Sequence, residues 1–357
     1  MNVTLNLVQM NRNFELDILR GLSIALMIVV DAPPDKIYDI LQHAEWEGMT
    51  LADTIFPAFA FAMGASATFA TARHQFSPTK IFRRTGFLFL AGFLLNVLIY
   101  FCFSQEHIRL FGVLQRLALA YFFGMLILLK LKSTAKIFSA AILLLIIYSA
   151  GFHIYAPENS FSEVQNISGA VDKIFPGVNH IYEPTHDPEG LYGTLAAVAS
   201  MLFGIVAGKF LLQNERRKLI LCGAALLISG YCWSFFDIIA KKIWTAPFAL
   251  LNAGGDMILL AALGILFGFA PCVKKIFHPF DSLGKNPLLF FVASNLAIIF
   301  LCAVQVSGVP ALFLLYQKTW QGIFSSQLNI TLFCVSWGIL WLIPAEILNR
   351  KKIFIRL

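Results

Sequence analysis

The chain has 357 residues, of which 58% are hydrophobic and 13% charged, against roughly 45–50% and 25% in soluble globular proteins. That balance excludes a water-soluble enzyme and makes the lipid bilayer the solvent of the fold. The formal charge of +7 does not signal nucleic acid, because the basic residues gather in alternate loops between apolar runs.

Ten apolar runs of about 20 residues, the length that crosses a hydrocarbon core, predict an all-α polytopic membrane helix bundle. They cover roughly 15–31, 54–72, 83–103, 111–131, 135–154, 190–212, 217–237, 246–270, 286–306 and 327–348. No internal repeat divides them, so residues 1–357 are expected to form one membrane domain. No cleavable signal pattern opens the chain, and the first helix is expected to stay as an anchor. Inner connections are short, whereas outer loops at about 32–53 and 155–189 are long enough to build a site.

In the first run, Asp17 and Arg20 lie one turn apart and can pair. A charge inside a membrane helix costs at least about 2.5 kcal/mol. The pair is therefore either a self-satisfied interfacial anchor or a place where Arg20 holds a phosphate. The first outer loop carries Leu41-Gln-His-Ala-Glu-Trp-Glu-Gly-Met-Thr-Leu-Ala-Asp-Thr-Ile-Phe-Pro57, which sets His43 and Asp53 between two helices. Imidazole, with an ordinary pKa near ~6.5, takes or gives a proton near neutrality or attacks a thioester carbonyl. Asp53 is its natural orienting partner.

Gln115 and Arg116 open the fourth helix. Arg116 either snorkels to the surface or joins Gln115 as a rigid hydrogen-bonding pair for a substrate or a structural carboxylate. Asp187-Pro-Glu-Gly190 opens the sixth helix, with Asp187 as N-cap, Pro188 at the first position and Glu189 complementing the dipole. The alternative is a segment closing over the site, with His186 beside it. Asn252 and Asp256 belong to the eighth run. Asp256 is expected to balance a buried cation such as Arg116 or to hold an opened backbone at Gly254-Gly255. Before the ninth helix, Lys285, Asn286 and backbone amides suit a phosphate or form a plain capping turn. The cysteines lack CxxC spacing and neighbouring histidines, read as small hydrophobes, and imply no metal.

Loops that include Arg12, Arg73, Lys80, Lys130, Arg216, Lys274 and Arg356 hold about 19 basic residues, and the opposite set about 6. The positive-inside rule then puts both termini in the cytoplasm and His43 on the far side. The outer loops are acidic, which either concentrates a cationic substrate or reflects insertion preference alone. Sequons at Asn2, Asn166 and Asn329 carry little weight, and Asn2 is expected on the inner side.

The ordered combination of Leu16-Asp-Ile-Leu-Arg-Gly-Leu22, the His43 to Pro57 stretch, Gly112-Val-Leu-Gln-Arg116, Asp187-Pro-Glu-Gly190 with Gly193-Thr194, Lys242-Ile-Trp-Thr245 and Gly284-Lys-Asn-Pro-Leu288 resembles the heparan-α-glucosaminide N-acetyltransferase family. The resemblance implies acetyl-CoA as cytosolic donor, an amino sugar as acceptor across the membrane, and His43 and Asp53 as catalytic residues. The compact bacterial form is the nearer likeness, which implies an integral protein of the bacterial cytoplasmic membrane. Glu45 and Glu47 replace an aromatic residue and an asparagine usual around the motif tryptophan, and Asp31-Ala-Pro-Pro34 replaces an asparagine-rich turn. These carboxylates favour a cationic acceptor such as free glucosamine.

On this reading Trp46, Glu47, Gln115, Arg116, Asp187, Glu189 and Asn252 contact the acceptor. Asp17, Arg20, Arg83, Arg84, Lys285 and Asn286 hold the CoA end of the donor. Transfer runs through a ternary complex or an acetyl-histidine, with Asn252, Gln115 or a loop N–H stabilising the oxyanion. Partners are acetyl-CoA, a sugar or glycan acceptor and the bilayer, with a homodimer left open. The rivals are an O-acyltransferase of envelope glycans and a transporter of amino sugars or cations that binds through Asp53, Arg116 and Asp256.

Overall fold

The computed structural model describes residues 13–73 and 77–355; Asn2, Arg12 and Arg356 of the sequon and charge arguments lie outside them. Each of the ten apolar runs is a helix: α1 (Phe14–Val30), α2 (Leu51–Arg73), α3 (Pro78–Cys102), α4 (Val113–Leu131), α5 (Thr134–Tyr155), α7 (Thr194–Leu212), α8 (Arg216–Trp233), α9 (Ala246–Phe269), α11 (Pro287–Ala303) and α13 (Ser326–Arg350). Three shorter helices, α6 (Ile167–Asp172), α10 (Lys274–Gly284) and α12 (Ala311–Thr319), were not predicted. Among the described residues, strand pairing between named strands is confined to Gln305–Val306 with Val309–Pro310.

Among the described residues, seven helices are long and apolar enough to cross a membrane, or eight if α10 and α11, bent by 74° at their junction, form one broken span. α1 has 17 residues, and α8 begins with Arg216-Arg217-Lys218. Large apolar side chains face outward on the peripheral helices, among them Phe82, Leu90, Leu94 and Phe101 on α3 and Ile339 and Ile343 on α13. Such a belt is stable only against lipid. The protein is an integral membrane protein.

Local sequence sets the helix starts. Asn13 Oδ1 accepts from Leu16 N–H at 2.9 Å to cap α1, and prolines occupy the first turns of α3, α9 and α11, where a missing N–H costs nothing. Where reading and structure differ, periodicity explains it. The connection before the ninth run is no mere connector, because α10 is an 11-residue amphipathic helix too short to register as a span. It lies against α1, where Gly21 and Gly284 let the backbones touch: a Cβ on Gly21 would stand 1.8 Å from Phe280 O. Nor is the backbone opened at Gly254-Gly255, since α9 runs unbroken through both. Gly254 serves helix contact instead, facing Gly223 of α8.

The centre of the bundle is the α2–α7 pair, whose spans are the most buried of the seven, at 72% and 78%. A Cβ on Gly64 would meet Met201 O at 2.1 Å, and one on Gly204 would meet Phe61 O at 1.9 Å. Small residues are what allow membrane helices to approach this closely. Gly204→Val is accordingly expected to push α7 off α2 and lower stability by about 2–3 kcal/mol, the scale of overpacking. A thermal melt in detergent that matched wild type would contradict the contact.

Candidate active site

The turn before α2 is half of a capping box: the Asp53 side chain reaches back to the Thr50 N–H, while Thr50 Oγ1 donates to Gln42 O instead of accepting from the Asp53 N–H. Thr50 precedes the helix and Asp53 is its third residue. Asp53 Oδ2 accepts from Thr50 N–H at 3.0 Å and Ala44 N–H at 3.1 Å, with Thr50 Oγ1 also 3.0 Å away. The carboxylate is fully buried, and its other oxygen, Oδ1, lies 2.8 Å from His43 Nδ1. Because an ionised carboxylate only accepts, this contact assigns the proton to Nδ1 and leaves the lone pair on Nε2. Four residues after Asp53, Pro57 removes the N–H that would bond the Asp53 carbonyl, which loosens the helix at this point.

The motif glycine has a separate task. Gly48 adopts φ +107°, open to glycine at little cost, and its N–H donates to Ile239 O at 2.7 Å. That bond clamps the first outer loop to the 240–245 turn, itself closed by Thr245, whose Oγ1 accepts from Ala240 N–H at 3.0 Å. Lys241 is thereby brought to His43, its Nζ 3.0 Å from Nδ1 and 3.8 Å from Asp53 Oδ1. Burial drives the Lys241 pKa below its ordinary value, against the opposing charges of Glu189, Asp53 and Asp31.

His43 and Lys241 line a cavity of about 610 Å³ together with Asp31, Arg109, Lys242, Glu183 and Glu189 and apolar residues of α1, α2, α4 and α11. Asp31, just past α1, is surrounded by protein yet opens to this cavity; desolvation pushes its pKa up to about 6 against the pull of His43 and Lys241. Arg109 reaches Asp187 with two bonds, Nε to Oδ2 at 2.9 Å and a terminal nitrogen to Oδ1 at 2.5 Å, and meets Glu189 at 2.5 Å. It also lies over the Tyr182 ring. Burial works against the Arg109 charge, but Glu189 and Asp187 outweigh it and raise its pKa. Glu189 likewise loses to burial less than it gains from Arg109, Arg116 and Lys241, and its pKa falls below the ordinary range.

Asp187 does not cap the sixth membrane helix. That helix, α7, starts at Thr194, and Asp187 instead accepts from Arg109 and from Tyr182 and Glu189 N–H groups. The Asp187–Leu191 turn is held from below by Asp172, which accepts from Asp187 N–H at 3.1 Å and Leu191 N–H at 3.0 Å. Burial lifts the Asp172 pKa to about 6. Gly190 is needed there, since a Cβ would fall 2.2 Å from that carboxylate.

Of the other expected site residues, some stand behind the cavity rather than in it. Trp46 Nε1 donates to Phe161 O at 2.9 Å and its ring packs edge-on to His186, pinning the two outer loops together. Glu47 is exposed and outside the cavity lining. Gln115 donates to Leu110 O, and Asn252 to Phe248 O. Arg116 does not snorkel: it is 1% exposed, donates to Gly190 O at 3.2 Å and lies over Trp244. The acids acting on it are Glu189, Asp187 and Asp172, so Asp256 is not its counter-ion.

At the opposite end of the bundle, Arg20, Arg73, Lys285 and Asp17 line a second cavity of about 220 Å³, with Arg20 bonded to Asp17 and Lys285 to Asp281 at 2.5 Å. Arg84 borders a smaller one of about 60 Å³. Arg83 is exposed, and Asn286 is buried with its amide tied to the backbone of Ile353 and Ile355.

An all-helical membrane bundle with a histidine–aspartate pair at a polar cavity has the parts of a membrane-embedded acyltransferase. The family model for heparan-alpha-glucosaminide N-acetyltransferase, catalytic, matches residues 12–233. The chain belongs to that family. The human heparan-alpha-glucosaminide N-acetyltransferase is 26% identical over 409 aligned residues, covering 95% of this chain and 59% of the human protein. The mouse protein of the same name is 26% identical over 269, covering 59% of this chain and 41% of its own length. The chain thus spans about half the length of these curated relatives.

Arg109→Met is expected to strand two buried carboxylates and lower stability by about 3 kcal/mol, the low end for breaking a buried pair. Because the Glu189 pKa lies below its ordinary 4.5, its stabilising share is complete above about pH 4.5 and is lost as pH falls through the lower folded value. Melts of wild type should therefore decline in that acid range, and those of the variant should start lower and decline less.

Proposed function

We propose that this protein moves an acetyl group from cytosolic acetyl-CoA to the amine of a glucosamine-like sugar on the other side of the membrane. The observation that carries the reading is the His43 Nδ1 to Asp53 contact of 2.8 Å at the 610 Å³ cavity. With Nδ1–H directed at Asp53, Nε2 is free to accept the proton of an attacking amine, and the carboxylate stabilises the imidazolium that results. The cavity lining, with Asp31, Glu183 and Glu189 beside Arg109, Lys241 and Lys242, offers both acceptors and donors for a polar sugar.

The arrangement of the cavities supports a donor route through the bundle. Arg73, Ala70 and Ser66 of α2 line the cavity at the basic end; Ser66, Met63 and Phe59 line the small one; Phe56 and Ala52 line the site cavity. Arg20 is shared by the first two. From Arg73 to Ala52 is about 30 Å at 1.5 Å per residue, close to the thickness of a hydrocarbon core. Only one helical turn, at Phe56 and Phe59 of α2 and Val113 and Leu117 of α4, separates the small cavity from the site. In this reading the basic end holds the nucleotide phosphates, and the pantetheine arm runs along α2 to deliver the thioester to His43, where transfer is direct within a ternary complex.

Labelled acetyl-CoA and glucosamine, supplied to the purified protein in detergent, test this. Wild type should label the sugar, and folded His43→Ala should lose about 10²–10⁴-fold in rate. Ser66→Trp, at the junction of the two inner cavities, should abolish transfer by blocking the donor while leaving the melting temperature near that of wild type. A folded wild type that neither binds acetyl-CoA nor labels any acceptor would sink the proposal.

A further inference from the structure

His43 Nδ1 has two close neighbours and can satisfy only one of them. Asp53 Oδ1 lies 2.8 Å away and Lys241 Nζ 3.0 Å away. A ring nitrogen that donates its proton to a carboxylate has no lone pair left for an ammonium. Lys241 is therefore held beside the ring by surrounding charge: Asp53 Oδ1 at 3.8 Å on α2, Asp31 after α1 and Glu189 before α7, with Arg116 of α4 opposing. Among the described residues no oxygen lies within hydrogen-bonding distance of Nζ. An ammonium whose one close contact is His43 Nδ1, with no oxygen acceptor in reach among the described residues, thus stands at the cavity next to the proposed base.

Apart from Lys242, the other polar nitrogens near this cavity donate hydrogen bonds within the protein. Arg109 is held by Asp187 and Glu189. Lys242, like Lys241, has only ion-pair contacts with carboxylates, Glu163 at 3.9 Å and Glu183 at 3.7 Å, but unlike Lys241 it makes no contact with His43. Asn295 donates to Phe291 O, and the two amides expected from sequence to serve an oxyanion, Gln115 and Asn252, donate to backbone carbonyls.

We propose that Lys241 is a further catalytic residue, whose ammonium stabilises the oxyanion formed on the acyl carbonyl when the acceptor amine attacks; this rests on the acyl-transfer reading above. The amine lone pair forms the C–N bond, and the carbonyl π pair moves onto oxygen, which accepts a hydrogen bond from Lys241 while the proton remains on Nζ. The amine proton passes to His43 Nε2. The pair on oxygen then returns to re-form C=O, the C–S bond breaks, and the departing thiolate takes the proton from His43. At the intermediate, two cations (Lys241 and the imidazolium) face two anions (Asp53 and the oxyanion), so the repulsion that Lys241 exerts on a protonated His43 is offset only once the oxyanion exists. That is stabilisation confined to the transition state and intermediate.

The test compares wild type, Lys241→Met and Lys241→Arg for acetyl transfer to glucosamine, with acetyl-CoA binding and melting temperature measured on each. Removing the charge should lower kcat about 10²–10³-fold, the scale of losing an oxyanion donor, with KM for both substrates little changed. The arginine variant should retain most of kcat. Activity requires the ammonium, so wild-type kcat should fall as pH rises through the Lys241 pKa, below the ordinary lysine value because of burial, and the arginine variant should lack that alkaline limb. A folded Met variant with wild-type kcat, a loss confined to KM, or an alkaline limb that persists in the arginine variant would overturn the role. If Lys241→Met does not fold, the pH profile of Lys241→Arg decides. Wild type active, His43→Ala inactive and Lys241→Met active would remove Lys241 alone; an inactive wild type would remove the acyl-transfer reading and this proposal together.

Discussion

Burying a carboxylate such as Asp53 costs several kcal/mol unless its lone pairs are filled by donors, and the way they are filled determines where His43 stands. Two backbone N–H groups, from Thr50 and Ala44, take one oxygen. The helix that begins at Leu51 contributes the positive end of its dipole. The second oxygen is then the fixed point to which the imidazole is tied. A loop histidine that is half exposed thus acquires the definition of a residue on a helix, which a proton-transfer site requires. The spacing of ten residues between His43 and Asp53 follows from this arrangement: the intervening chain must turn away, pair through Gly48 with Ile239, and return in time to cap the helix.

A second constraint is electrostatic. Three of the basic residues on the site side, Arg109, Lys241 and Lys242, converge on one cavity, where Asp31, Glu183 and Glu189 meet them. Arg116 donates to Gly190 O of the Asp187–Leu191 turn, and Gly193 leaves it space, since a Cβ there would lie 2.6 Å from the guanidinium. That turn is held by three charged groups: Asp172 accepts from its N–H groups, Arg116 donates to its Gly190 carbonyl, and Arg109 bonds its two carboxylates. The second outer loop therefore owes its shape mainly to ion pairs and charge-assisted hydrogen bonds, which keep their strength where water is scarce.

The membrane helices were legible because each is a sustained apolar run, and His43 with Asp53 because a titratable pair between two such runs has few structural reasons to exist. α10 was not legible, since its amphipathic pattern is too short for a span and contains Pro279. Arg109 and Lys241 were passed over for a different reason: both were counted as minor exceptions to a charge rule, and neither has a local pattern. The usable signal was the rule itself, because a cation on the side where cations are scarce needs a carboxylate partner, and Asp187-Pro-Glu189 was a visible candidate. Trp46 and Asn252 lie outside the cavity lining because sequence fixes their neighbourhood, whereas their direction depends on contacts made 115 and 203 residues away, to Phe161 and Met49.

The positions of the polar groups also bear on the transport alternative. A carrier that binds its cargo through intramembrane charges brings them to one site near the bilayer midplane, usually at interrupted helices. Here Asp53 is committed to the α2 cap and His43, Arg116 to the turn before α7, and Asp256 lies on a helix that is unbroken from Ala246 to Phe269. Asp53 and Arg116 are fixed by separate partners, and none of the three lines the site cavity. What lines it is His43 with the Asp53 carboxylate behind it, at the end of the bundle opposite the basic cavity, with a small cavity beside α2 between the two. The basic residues at one end and the histidine–aspartate pair at the other are what the proposed group transfer requires, and that proposal gives His43 a task that a passive pathway leaves without explanation.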